Sequence, residues 1–101
     1  MLFFQFADIE LEYIPLDAEF IKYTRVVRRL TEVVKNLYDL KPNTGHHIDH
    51  KISVYDGYKL GIPAYLIASF ENLQEITITE NLKKGSSSSI TKDELYKLLN
   101  L

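Results

Sequence analysis

The chain has no cysteine, no tryptophan and a single methionine among its 101 residues. Without cysteine there is no disulfide, no thiolate nucleophile and no cysteine-ligated zinc, so packing alone has to hold the fold. No apolar run approaches the roughly 18 residues that a membrane-spanning helix needs. The opening apolar stretch meets Asp8, Glu10 and Glu12 without a preceding basic residue, which does not fit a secretory leader, and cytoplasmic residence is the expectation. Strong basicity is lacking too. The net charge is −2, a mild argument against a nucleic-acid partner.

The charge distribution softens that argument. Residues 1–16 carry three acids and no base, whereas residues 17–41 carry six bases (Lys22, Arg25, Arg28, Arg29, Lys35, Lys41) against four acids. A phosphate backbone responds to local charge within a Debye length of about 8–10 Å. Apolar residues at 46% and charged residues at 26% are ordinary for a globular protein, and the length suits one domain, 1–101.

Periodicity outlines an α+β order. Residues 3–14 alternate as a strand closed by Pro15. From Asp17, a candidate N-cap, to about Leu40 the apolar residues Phe20, Tyr23, Val27, Leu30, Val34 and Leu37 recur at three and four, which predicts a long helix stopped by Lys41-Pro42-Asn43. Its polar face carries Lys22, Arg25 and Arg29, either as a solvated face or as a phosphate-contacting one. His47 to Tyr55 predicts a strand, with Asp56-Gly57 turning it into a long connection. Pro63 opens a short helix over Ala64 to Ser69 with Tyr65, Leu66 and Phe70 facing the core. Leu73 to Thr79 predicts a second strand, followed by a helix start at Glu80-Asn81 that runs into Gly85. The tract Ser86 to Ser89 suggests a flexible link. Thr91 and Glu94 form a capping box for a last helix, Lys92 to Leu99, with Leu95, Leu98 and Leu99 able to dock.

Three polar islands interrupt these apolar elements: Ile48-Asp49-His50, Asn72-Leu73, and Glu80-Asn81-Leu82-Lys83-Lys84-Gly85. Hydrolysis of a phosphodiester needs a base near neutral pH, which histidine supplies, and a cation to meet the charge that builds on phosphorus. Carboxylate and amide oxygens suit Mg²⁺, which keeps several waters and takes only one or two protein groups. Asp and His in succession on a strand point to opposite faces, so a shared site needs the strand to end, twist or bulge there.

The order Asp-His, Asn-Leu, Asn-x-x-Lys-Gly resembles the His-Asn-His (HNH) family of ββα-metal nucleases, particularly small forms from phages and mobile elements. Asp56-Gly57-Tyr58, Gly61-Ile62-Pro63 and Asn72-Leu73-Gln74 between the islands are similar as well. The likeness covers about 40 residues, roughly 46–86; the basic helix before it matches in kind, and a C-terminal helix follows. The resemblance implies a metal-dependent DNA endonuclease that leaves a 5′-phosphate and a 3′-hydroxyl. It implies His50 as the base, Asn72 as the brace that orients it, Asp49 and Asn81 as ligands of Mg²⁺ or another divalent cation, and Lys84 as a phosphate contact beside Arg25 and Arg29. No structural zinc is expected. DNA is the expected partner, with a second copy or a larger phage protein as further ones, and no membrane. The alternatives are His47 as the base, Asn81 as a plain helix cap, and a degenerate DNA-binding or accessory module of a larger phage or mobile-element machine.

Overall fold

A computed structural model describes residues 18–101; the strand expected over 3–14 and the Asp17 cap lie outside them. The architecture is a small α+β fold with one two-stranded antiparallel sheet and several helices. No helix among the described residues is long and apolar enough to cross a membrane.

Helix α1 (Ala18–Leu37) follows the apolar period: Val27 is fully buried, and Phe20, Tyr23, Leu30 and Val34 are half-buried around it. It ends in a left-handed cap. Asp39 takes φ 52°, and Leu40 and Asp39 donate their N–H groups to the carbonyls of Lys35 and Asn36. Those two bonds satisfy carbonyls that the last turn leaves orphaned, before Pro42 makes continuation impossible. Leu37, at the frayed end, is exposed.

Strand β1 (His46–His50) pairs antiparallel with β2 (Leu73–Thr77), His46 opposite Thr77 and His50 opposite Leu73. The strand expected over His47 to Tyr55 therefore ends at His50. Beyond it, Val54–Lys59 forms helix α2 where a turn was expected at Asp56-Gly57. Ser53 caps this helix, its hydroxyl accepting from the Asp56 N–H at 3.0 Å. Gly57 is present for space rather than for a turn. A Cβ on it would lie 2.6 Å from Ile67 Cγ1 and 2.7 Å from the Tyr23 hydroxyl. The same hydroxyl donates to the Ile62 carbonyl at 2.7 Å; burial raises its pKa to about 12, with a smaller push from Tyr96.

Helix α3 (Ala64–Ile67) starts after Pro63 and is followed by a 3₁₀ turn, Phe70–Asn72. Of the three residues expected to face the core here, only Leu66 does. Tyr65 and Phe70 are exposed, and Phe70 stacks on Tyr38 at 4.4 Å between ring centroids. The second strand also ends earlier than its alternation suggests. Thr77 and Glu80 form a capping box, so helix α4 (Ile78–Lys84) starts two residues before Glu80. Two reciprocal side-chain bonds to orphaned N–H groups outweigh the weak alternation of Ile76 and Ile78.

The serine tract is bonded, not loose. The Ser88 hydroxyl accepts from the Ser53 N–H at 3.0 Å and donates to Asp56 Oδ2 at 2.6 Å, and the Ser89 N–H reaches the Lys51 carbonyl at 2.7 Å. Helix α5 (Lys92–Leu98) carries the expected Thr91–Glu94 capping box. Leu95 is fully buried and Leu99 half-buried, while Leu98 turns to solvent. The core gathers Val27, Ile52, Ile62, Leu66, Ile67, Ala68 and Leu95.

At its centre sits a polar side chain. Asn72 is fully buried. Its Oδ1 accepts from the Ile52 N–H at 2.8 Å, and its Nδ2 donates to the carbonyls of Ile52 and Ile67 at 3.1 and 2.8 Å. Its own carbonyl accepts from the Lys51 N–H at 2.7 Å. The amide thus continues the β1–β2 ladder by one side-chain rung, joining both ends of the 51–72 connection. Each buried polar group left without a partner costs about 1–3 kcal/mol. Asn72→Ala is expected to lose roughly 3 kcal/mol or more on that basis, read as a lower urea midpoint at unchanged slope.

Candidate functional site

Alternation along β1 sorts its polar residues. His47 and Asp49 share one face, and His46 and His50 point to the other. Helix α4 crosses the first face. Its Asn81 and Lys84, three residues apart and so on one side of the helix, meet the strand in two rungs. Asn81 Nδ2 lies 3.1 Å from His47 Nδ1, and Lys84 Nζ lies 3.1 Å from Asp49 Oδ2. Gln74, the register partner of Asp49, donates to the same Oδ2 at 3.2 Å. Lys84 also donates to the His50 carbonyl at 2.9 Å. The Lys84 and Asp49 side chains are only 12% and 14% exposed, so this ion pair is shielded from water and salt far better than a surface pair.

His50 ends the strand on the opposite face. Its Nε2 lies 3.0 Å from the hydroxyl of Thr31, a buried residue of α1. Burial lowers the imidazole pKa below 6.5; the Asp49 carboxylate pulls it back up, and Lys84 and Lys35 push it down again. At neutral pH the ring is therefore uncharged, the form in which histidine accepts a proton.

The structure brings Asp49, Asn81 and Lys84 together on one face, joined there by His47. The imidazole of His50 is directed elsewhere, although its main chain belongs to the cluster. Asn72 positions the chain two residues beyond His50 through Ile52. Arg25 and Arg29 are exposed on α1. An α-helix turns about 100° per residue, which sets them roughly 120° and 160° around the axis from Thr31. Arg28 and Lys35, three residues before and four after Thr31, share its side of the helix.

The sequence reading gave no site role to Thr31, Gln74, Arg28 or Lys35. Thr31 had a legible signal, as a lone hydroxyl in the apolar stripe between Val27 and Val34. Gln74 had none until strand register paired it with Asp49.

Asp49 and Asn81 carry the carboxylate and amide oxygens that Mg²⁺ favours, but here Asp49 Oδ2 is taken by Lys84 and Gln74, and the Asn81 amide nitrogen faces His47. No group of three or more His, Cys, Asp or Glu side chains able to hold a metal is found among the described residues. No protein-family model, curated protein or solved structure matches this chain.

The lowered His50 pKa has a thermodynamic consequence. The unfolded chain takes up the His50 proton first as pH falls through about 6.5. The associated stability is complete above that pH and is lost as pH falls toward the folded-state value. NMR titration of the His50 ring should show a midpoint below 6.5, and the thermal midpoint should drop on acidification through that range. A midpoint at or above 6.5 would mean that burial does not outweigh the pull of the Asp49 carboxylate on the ring.

Proposed function

We propose that this chain is a metal-dependent DNA endonuclease with an HNH-like ββα-metal core formed by β1, β2 and α4. The observation that carries the reading is the pairing of β1 with α4, which sets the oxygen-bearing side chains Asp49 and Asn81 on one seam with the basic Lys84. In this reading Asp49 and Asn81 hold a divalent cation such as Mg²⁺, which supplies Lewis acidity at the scissile phosphate. His50, neutral and bonded through Nε2 to Thr31 on the α1 side, has to turn its ring toward the seam to take a proton from water there. The water oxygen bonds to phosphorus, the bond from phosphorus to the 3′ oxygen breaks, and the released alkoxide takes a proton from solvent. The products are a 5′-phosphate and a 3′-hydroxyl. Asn72 is a positioning residue, acting through the chain that carries His50.

A second assignment of the base has its own support. His47 is more exposed than His50 and already meets Asn81, whereas His50 is engaged by Thr31. Nicking of supercoiled plasmid with Mg²⁺, and its loss with chelator, tests the activity. His50→Ala is expected to abolish nicking while folding and DNA binding persist, with His47→Ala retaining at least about a tenth of the rate. The reverse pattern moves the base to His47. DNA binding without nicking in the unaltered protein would favour a degenerate binding module.

The backbone contacts divide by helix face. Removing the charge of Arg28 and Lys35 together should weaken DNA binding across all sequences. It should also flatten the salt dependence by about two in slope, more than removing Arg25 and Arg29 does. Equal effects from the two pairs would place DNA along the outer face of α1 instead.

A further inference from the structure

Lys84 is the least expected member of the seam. A phosphate-contacting lysine would ordinarily be exposed, yet this ammonium is tucked against the Asp49 carboxylate and the His50 carbonyl, 3.1 and 2.9 Å away. Asp49 Oδ2 is taken up further by Gln74. The carboxylate assigned to the metal thus already has a cation, in a place with little water to screen a second one. A divalent ion entering beside it would face the ammonium at close range, and Lys84 would have to withdraw. Its side chain can do so. It is a four-carbon stem on the last turn of α4, next to Gly85, where the helix ends at φ 56°.

We propose that Lys84 is a built-in counter-ion that keeps the divalent cation weakly bound until a phosphodiester arrives. The phosphate offers the ammonium a new anionic partner, and the vacated carboxylate then takes the metal. Metal and DNA consequently bind with positive coupling, each raising the affinity of the other by the same factor. The inference rests on the metal-site reading of Asp49 and adds to it a regulation of that site.

The experiment is a calorimetric Mn²⁺ titration of the full chain at fixed pH, alone and with a saturating phosphorothioate duplex that resists cleavage. For the unaltered protein, the duplex is expected to tighten Mn²⁺ about tenfold, within the usual 5–150-fold span of such couplings. Lys84→Met, similar in length but uncharged, should bind Mn²⁺ alone about tenfold more tightly than the unaltered protein and lose most of the coupling. Lys84→Arg keeps the charge and should keep metal binding weak in the absence of DNA. Asp49→Ala should remove the signal in every background. If Mn²⁺ binding depends on Asp49 but Lys84→Met binds no more tightly and the duplex changes nothing, the counter-ion role is overturned and the metal site stands. If Mn²⁺ binding persists in Asp49→Ala, or is absent with and without DNA, the metal-site reading falls and the counter-ion role with it. Should Lys84→Met fail to fold, as thermal melting would reveal, the duplex effect on the unaltered protein decides, and its absence overturns the proposal.

Discussion

The arrangement of the described residues depends on one buried amide. Two five-residue strands make a short sheet, and the chain between them wanders through two helices and a 3₁₀ turn before returning in register. Asn72 makes that return definite. By bonding both main-chain polar groups of Ile52 and the carbonyl of Ile67, it holds the two ends of the excursion at hydrogen-bond distance inside the apolar core. An apolar residue of the same size would leave those groups unpaired in a medium without water. Everything at the His50 end of the sheet inherits its position from this rung.

A second constraint is the two-residue period of a strand. Adjacent residues Asp49 and His50 cannot occupy the same face while the ladder continues through both, and it does continue to His50. The polar groups are therefore divided between two neighbours. Helix α4 receives His47 and Asp49, and helix α1 receives His50. The two halves meet through Lys84, which touches the Asp49 side chain on one side and the His50 main chain on the other.

What was legible in the sequence followed the strength of each signal. The stripe from Phe20 to Val34 and the box of Thr91 and Glu94 are repeated or reciprocal patterns, and both elements formed where those patterns put them. Asp56-Gly57 and Thr77-Ile78-Thr79-Glu80 misled for opposite reasons. The first was a turn signal whose glycine answers to the Tyr23 hydroxyl and Ile67, contacts distant in sequence. The second was a capping signal hidden under an alternation that favoured strand. The polar residues of the site were visible as islands because they broke apolar periods. Their partners were not, since Gln74 and Thr31 acquire meaning only from strand register and helix packing.

The bond between Thr31 and His50 ties the hairpin to a helix that precedes the 46–86 segment. A fragment trimmed to that segment would retain both strands and α4 but would strip the imidazole of its hydroxyl neighbour and expose the ring to water. The hairpin and α4 therefore do not by themselves keep the His50 ring covered. Any transplant of this hairpin into another scaffold has to bring along, or rebuild, the stretch of α1 from Val27 to Lys35.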